Sequence, residues 1–179
     1  NTYFQYLGGV AGRNYGTVSS CTNDNGTLGL NTAGTGSYSA RYAHIGGVIA
    51  ENGSASNVSD LQNSGNITLS RTENGKSVFS YIGGVIGLNY KAIDGGAGKN
   101  ITNSGKILQN YTPPTGFSAD GFNLGGIVGK TTAPVSNVSN SGTVQYDKTT
   151  SGGDATATSG SFNLGGVAGW SSAAISGAD

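Results

Sequence analysis

Nine acidic residues are the first candidates for catalysis in this chain of 179 residues. Enzymes that cleave the glycosidic bonds of a polysaccharide need two carboxylates, or a carboxylate with a base or a metal, on one face of the fold. The acids here are irregularly spaced and fall mainly in segments typical of turns and loops. They are Asp24, Glu51, Asp60, Glu73, Asp94, Asp120, Asp147, Asp154 and Asp179. We interpret them as solvated loop acids and expect no catalytic residues and no enzyme activity.

Metal-ligating and phosphate-binding patterns are equally sparse. His44 is the one histidine, and no Cys, Asp or second His stands at ligand spacing from it. The segment 23–26, Asn-Asp-Asn-Gly, resembles part of a calcium loop but lacks the leading acid and the closing Glu. The glycine cluster at 95–98 is not followed by the Lys-Ser/Thr of a phosphate loop. We expect no metal site and no cofactor.

Aromatic residues in or beside loops are the candidates for ligand contact. Tyr111, Phe117 and Phe122 lie in or next to a loop that contains two prolines, and Trp170 follows a glycine-rich strand. Such side chains combine a large apolar face with, in Tyr and Trp, a polar group, and they serve as contacts for a sugar or a protein partner. For Trp170 the alternative is that it covers the end of the hydrophobic core.

The composition excludes several classes of partner. Nine Lys and Arg balance nine Asp and Glu, only 10% of residues are charged, and 33 are glycine. A neutral chain has no electrostatic attraction for nucleic acid or an anionic membrane, and no run approaches 18 apolar residues, so we expect no membrane span. The single Cys21 permits no intrachain disulfide. The sequence contains no Met, and we interpret it as part of a longer chain.

Five double glycines define an internal repeat. Their first glycines are residues 8, 46, 83, 125 and 165, at spacings of 38, 37, 42 and 40. Aromatic residues precede each pair by a few positions. The five segments read LGGVAG, IGGVIA, IGGVIG, LGGIVG and LGGVAG. We treat residues 1–179 as a single repeat domain with repeats that start near residues 3, 42, 79, 122 and 162.

A second motif follows each double glycine at a nearly fixed distance. It consists of two apolar positions and a turn, and the turns of repeats two to four are Asn63-Ser64-Gly65, Asn103-Ser104-Gly105 and Asn140-Ser141-Gly142. Each repeat therefore reads as strand, turn, strand, turn, strand and a loop of variable length. The loops are residues 31–37, 71–76, 111–120 and 148–160.

A repeat of about 40 residues with three short strands cannot bury its apolar face alone, so the repeats must stack or surround a common centre. A β-propeller has a similar period but uses four strands per blade. Double glycines favour coils stacked about 4.8 Å apart, because backbone there passes close to backbone. No helical spacing is sustained. We predict an all-β fold, a β-solenoid (β-helix) of about five stacked glycine-rich repeats.

Stacking predicts which residues form continuous rows. Under strict alternation the residue directly after each double glycine points inward and the next one outward. The predicted interior row is Val10, Val48, Val85, Ile127 and Val167. The turn asparagines are predicted to form a ladder bonded between coils or to local backbone, and the turn glycines to supply a positive φ.

The combined pattern resembles the GLUG-motif repeats, in which a GGLVG segment precedes G-x-I-x-N-C-Y-x-x-G-x-V. Residues 7–12 with 16–21 match most closely, with Cys21 at the position of the motif's cysteine, and the resemblance extends over essentially the whole chain. Later repeats carry Leu61, Ile101 and Val138 at that position. Such repeats occur in large bacterial surface and secreted proteins, including adhesins. The resemblance therefore implies an extracellular or cell-surface segment of a bacterial protein.

Three functions remain open from the sequence. We favour a non-catalytic structural or adhesive segment that acts as a spacer, shaft or surface-assembly subunit. The alternative is a carbohydrate- or protein-binding adhesin module that contacts a host glycan or protein through loop aromatics, and a polysaccharide-acting enzyme comes third. Because exposed coil edges pair with similar edges, we expect residues 1–12 and 170–179 to stack on further coils of the same or another subunit.

Overall fold

The fold is seen in a computed structural model, which describes residues 2–34, 40–73, 78–112, 120–148 and 161–178. The first coil contains β1 (Thr2–Gly8), β2 (Ala11–Asn14), β3 (Thr17–Asn23) and β4 (Thr27–Gly34). The second contains β5 (Ala40–Gly46), β6 (Ile49–Asn52), β7 (Asn57–Asn63) and β8 (Asn66–Glu73). Each coil thus begins at the aromatic segment that precedes a double glycine.

The remaining coils repeat this order with one strand divided. The third coil contains β9 (Val78–Gly83), β10 (Ile86–Asn89), β11 (Ile93–Asp94), β12 (Ile101–Asn103) and β13 (Ile107–Tyr111). The fourth contains β14 (Asp120–Gly125), β15 (Val128–Thr131), β16 (Val135–Ser136), β17 (Ser139–Asn140) and β18 (Val144–Lys148). The fifth, partial coil contains β19 (Ser161–Gly165), β20 (Ala168–Ser171) and β21 (Ile175–Ser176).

Equivalent strands of successive coils pair in parallel and form five sheets along the stack. Sheet 1 is β1-β5-β9-β14-β19, sheet 2 is β2-β6-β10-β15-β20, sheet 3 is β11-β16-β21, sheet 4 is β17-β12-β7-β3 and sheet 5 is β18-β13-β8-β4. The described residues contain no helix, and accordingly none that is long and apolar enough to cross a membrane. The predicted all-β solenoid is confirmed, although its coils are unequal because the fifth supplies strands to only three sheets.

Two hydrophobic cores run along the stack. One lies between sheets 2, 3 and 4 and contains Val48, Ile49 and Leu61, and the other lies between sheets 1 and 5 and contains Ile45, Ile67 and Leu69. All six side chains are fully buried. Two cores arise because the chain turns sharply between sheets 1 and 2, so that the apolar sides of these sheets face different interiors.

The turn between sheets 1 and 2 corrects the predicted alternation. Val48 and Ile49 are consecutive, yet both are fully buried in the same core, as are Val85 and Ile86 in the next coil. The prediction that only the first of each pair points inward is wrong. Strict alternation holds along a straight strand, whereas the first of each pair lies at the bend before the strand of sheet 2 begins.

Each glycine of a pair is required by a different close approach. A Cβ on Gly83 would lie 1.9 Å from the carbonyl oxygen of Ile86, where the chain folds back on itself within the coil. A Cβ on Gly84 would lie 2.0 Å from the carbonyl oxygen of Gly126 in the next coil and 2.4 Å from the side chain of Asn103. No side chain fits at either position, and this explains the recurrence of the pair.

The predicted asparagine ladder is confirmed and is longer than expected. Side-chain amides bond at 2.7 Å from Asn23 to Asn63, from Asn63 to Asn103 and from Asn103 to Asn140. The amide nitrogen of Asn103 also donates to the carbonyl oxygen of Gly105 at 3.0 Å. The ladder therefore satisfies buried amides both along the stack and within each turn, as the burial of polar groups requires.

The prediction about the turn glycines is wrong. Gly65, Gly105 and Gly142 do not have a positive φ; the described glycines that do are Gly98 and Gly177. A Cβ on Gly105 would instead lie 2.0 Å from the carbonyl oxygen of Gly65. Glycine is required at this turn because successive coils stack closely, and not because the backbone adopts a left-handed conformation.

A second polar ladder, which the sequence analysis did not identify, is formed by the last residues of the strands of sheet 2. Asn14 donates to Asn52 at 3.0 Å, Asn52 to Asn89 at 2.9 Å, and Asn89 to the Thr131 hydroxyl at 3.1 Å. The ladder can be predicted from the sequence, because a polar residue stands six positions after the first glycine of every pair. These residues are Asn14, Asn52, Asn89, Thr131 and Ser171.

The fit of the second glycine against the asparagine ladder can be tested with a matched pair of substitutions. Gly84→Ala places a methyl group against backbone and Asn103, and we expect it to lower the free energy of unfolding by about 3 kcal/mol. Gly166 occupies the same row in the last coil, where a Cβ would meet nothing within 4 Å. We expect Gly166→Ala to change the free energy of unfolding by less than about 0.5 kcal/mol. Urea unfolding of both variants measures this, and equal effects would contradict the account.

Candidate functional site

The outward-facing side chains of sheets 1 and 2 contact each other across the double-glycine turn and form a groove along the stack. Rows of paired residues line it. From sheet 1 these are Tyr6, His44, Tyr81, Asn123 and Asn163, and from sheet 2 they are Arg13, Glu51, Leu88, Lys130 and Trp170. The lip is the next outward row of sheet 1, which consists of Phe4, Tyr42, Phe79, Gly121 and Ser161.

Three rings of the lip form a stacked column. The ring centroids of Phe4 and Tyr42 lie 4.9 Å apart at an interplanar angle of 16°, and those of Tyr42 and Phe79 lie 4.8 Å apart at 12°. These distances match the spacing of parallel strands, so the column is a direct product of coil stacking. It ends at Gly121, where a Cβ would lie 2.7 Å from the Phe79 ring. Glycine at this position therefore lets the Phe79 ring lie over the next coil.

In the first two coils, a cluster of polar and charged side chains around Glu51 fills the groove. The guanidinium of Arg13 lies 2.9 Å from Glu51 Oε1, and Glu51 Oε2 lies 3.1 Å from His44 Nδ1. The hydroxyl of Tyr15 also donates to Glu51 at 3.2 Å. Both Glu51 and His44 are buried. The one described acid in the groove is thus fully engaged by neighbouring groups.

Burial decides the charge of His44. Desolvation lowers the pKa of His44 to about 4, against the opposing attraction of Glu51. The neutral ring therefore donates its Nδ1 hydrogen to Glu51, and Nε2 is buried without a described hydrogen-bond partner. A second proton would have no acceptor, which is consistent with the lowered pKa.

The groove opens into a pocket over the third to fifth coils. The pocket encloses about 460 Å³, which lies within the range of small-molecule sites, roughly 300 to 1,000 Å³. The ammonium of Lys130 lies between two rings, 5.0 Å from the centroid of Tyr81 and 4.8 Å from that of Trp170. The pocket is lined by Phe79, Tyr81, Gly121, Asn123, Lys130, Ser161, Asn163 and Trp170.

The structure places the aromatic candidates in three different environments. Trp170 lies at the pocket, 38% exposed, and packs against Lys130 instead of covering the core. Tyr111 and Phe122 are 1% and 0% exposed and contact each other in the core, with ring centroids 5.1 Å apart. Their proposed role as ligand contacts is therefore wrong, because their side chains face inward. Phe117 lies outside the described residues.

The sequence analysis identified Trp170 and missed the other seven pocket residues, which are Phe79, Tyr81, Gly121, Asn123, Lys130, Ser161 and Asn163. For the pocket residues of sheet 1, the alternation of inward and outward side chains along each strand could have identified them. The residue directly before the leading Leu or Ile of each double-glycine segment points outward, and so does the residue two positions earlier. Phe122 stands two positions before Leu124 and therefore shares its inward face.

Metal ligands are not clustered in the described part of the chain, where no three His, Cys, Asp or Glu residues lie close enough to hold an ion. The expected lack of metal and cofactor stays a prediction. No protein-family model, curated protein or solved structure matches this chain.

The buried neutral His44 predicts a specific loss of stability in acid. The folded-state pKa of about 4 lies below the usual 6.5, so between these pH values the unfolded chain binds a proton that the folded chain does not. The free energy of unfolding is therefore not reduced by His44 above pH 6.5. It falls by roughly 2 to 3 kcal/mol as the pH is lowered from 6.5 toward 4.

Comparison with His44→Gln separates this effect from the titration of acids, which both proteins share. We expect the difference in unfolding free energy between the wild-type chain and His44→Gln to shift by roughly 2 to 3 kcal/mol between pH 7 and pH 4. Urea unfolding across this range measures it. A difference that does not change with pH would show that His44 is not held neutral by burial.

Proposed function

We propose that this chain is a non-catalytic structural and adhesive segment, a rigid β-solenoid spacer that continues into further coils of the same or another subunit. One observation carries the proposal. The last coil extends the core rows of the stack, but its apolar side chains are uncovered. Leu164 is 48% exposed, whereas its partner Leu124 one coil earlier is fully buried. The same contrast holds for Ile175, at 41%, and its partner Val135.

The first coil supports the same proposal from the other end. Val10 is 48% exposed, whereas the equivalent Val48 in the second coil is fully buried. Uncovered core rows at both ends of a parallel stack present unpaired strand edges together with apolar side chains, and such edges bind other strands. A further coil at either end would bury these rows.

Stiffness is the property that a spacer requires, and several interactions support it. Parallel pairing joins the coils in five sheets, and two polar ladders run along the stack inside or beside the cores. In such repeat stacks, the interfaces between neighbouring units contribute directly to the stability of the whole array.

The absence of catalysis is part of the proposal. The one described acid of the groove, Glu51, is bound by Arg13 and His44, which leaves no paired carboxylates there for glycoside cleavage. Incubation with a panel of polysaccharides, followed by an assay for new reducing or unsaturated ends, tests this. Released ends that disappear on Glu51→Gln would overturn it.

An extracellular, bacterial cell-surface location is also proposed. The resemblance to GLUG-motif repeats supports it, as does a composition rich in Ser, Thr, Asn and Gly with only 10% charged residues. Antibodies against the chain should label intact, unpermeabilised cells of the source organism. Labelling only after permeabilisation would refute the location.

Stacking through the end coils predicts self-association of the isolated chain. We expect sedimentation velocity to show concentration-dependent oligomers, and the double substitution Leu164→Lys with Ile175→Lys to abolish them, because each lysine would place an unpaired charge in the apolar contact between end coils. Ser172→Lys, at an exposed position of the same coil, is the matched control and should associate like the wild-type chain. A wild-type chain that stays monomeric at every concentration would contradict the proposal.

A second candidate is a binding module for a carbohydrate or protein. The concave groove favours it, because it combines exposed aromatic faces with amide and ammonium groups in one pocket. Spacer and binding module are compatible, since the groove runs along the side of the stack and leaves both ends open.

A further inference from the structure

We propose that the pocket over the third to fifth coils binds a carboxylate-bearing sugar unit of a glycan, with Lys130 pairing with the carboxylate. The proposal goes beyond the structural role and does not depend on stacking of the end coils. It rests on the shape of the pocket, its hydrogen-bonding groups and its charge.

The shape results from a change in side-chain size along two outward rows of sheet 1. The lip changes from Phe79 to Gly121 and Ser161, and the adjacent row changes from Tyr81 to Asn123 and Asn163. Large rings therefore give way to small side chains after the third coil. The step leaves an open volume of about 460 Å³ next to the rings of Phe79 and Tyr81.

Aromatic groups on two sides suit a ring-shaped ligand with apolar C–H faces. Phe79 and Tyr81 bound the pocket at the third coil, and Trp170, which is 38% exposed, bounds it at the fifth. A sugar ring offers such faces, and its burial against aromatic side chains gains apolar contact without requiring the ligand to be hydrophobic throughout.

Two amides supply the directional contacts. Asn163 Nδ2 donates to Asn123 Oδ1 at 2.7 Å, which fixes the orientation of both side chains. Among the described hydrogen bonds, Asn123 Nδ2 donates none and Asn163 Oδ1 accepts none. Asn123 Nδ2 can therefore donate a hydrogen bond to a ligand, and Asn163 Oδ1 in the next coil can accept one. Two neighbouring hydroxyl groups on a sugar ring match this pair, because a hydroxyl both accepts and donates.

Charge selects the carboxylate. Lys130 is the one charged residue among the described residues that line the pocket. The nearest acid in its row, Glu51, lies two coils away and is bound by Arg13. The Lys130 ammonium is held between the rings of Tyr81 and Trp170, so an anionic group in the pocket meets a positioned cation, and no acid is among the described residues that line the pocket. A carboxylate is the anionic group that a sugar acid provides.

Calorimetric titration of the chain with matched pairs of saccharides tests the proposal. Tetragalacturonate and 3′-sialyllactose carry carboxylates, and galactotetraose and lactose are the neutral partners. We expect at least one acidic saccharide to bind about tenfold more tightly than its neutral partner, with an affinity that falls as salt is raised. Equal affinity for both members of each pair would refute the role of Lys130, and lack of binding to all four would refute the site.

Substitutions assign any binding to this pocket. Lys130→Gln should remove the preference for the acidic saccharide and leave the affinity for its neutral partner unchanged, whereas Trp170→Ala should weaken both about tenfold. Tyr90→Ala is the matched control, because Tyr90 is 44% exposed and does not line the pocket. Thermal unfolding verifies that each variant is folded. Loss of binding in Tyr90→Ala, or an unchanged preference in Lys130→Gln, would place the site elsewhere.

Discussion

The close approach of successive coils at the double glycines is the constraint on which the rest of the structure depends. At this corner one carbonyl accepts two amide hydrogens from the neighbouring coil: the oxygen of Val85 accepts from Val48 at 3.0 Å and from Ile49 at 3.0 Å. In the first four coils the second glycine of the pair also faces the asparagine ladder, so that backbone and amide side chains occupy the space that a Cβ would need. Glycine at this point is therefore a packing requirement and not a sign of flexibility.

The same corner produces both the interior and the candidate site. Because the chain turns sharply after sheet 1, the apolar sides of sheets 1 and 2 belong to two separate cores, and their outward sides meet in a groove. Exact stacking then places equivalent outward residues next to each other in every coil. Where those residues are aromatic they form the column from Phe4 to Phe79, and where they are small the groove becomes a pocket beside Lys130 and Trp170.

The fold class can be predicted from the sequence because every coil of a solenoid must satisfy the same packing requirements at the same positions. The recurring glycines and turn asparagines identify the period, the stacking and one polar ladder. The sequence predicts the site poorly, because inward and outward positions depend on where the corner interrupts alternation. Val48 and Ile49 both face inward for this reason. Tyr111 and Phe122 resemble loop aromatics by position in the sequence, yet strand register directs them into the core. Tyr81 and Lys130 are more than 40 residues apart in the sequence, and only the corner brings them together.

Hydrogen exchange followed by mass spectrometry tests most directly whether the double-glycine corner holds the coils together. The corner amides of Val48, Val85 and Ile127 each donate to the next coil, at 2.9 to 3.0 Å, whereas those of the fifth coil donate to no described coil. We expect peptides covering residues 45–52, 82–89 and 124–131 to exchange among the slowest in the chain and residues 164–171 to exchange fast. Exchange at the inner corners as fast as at residues 164–171 would contradict this role of the corner.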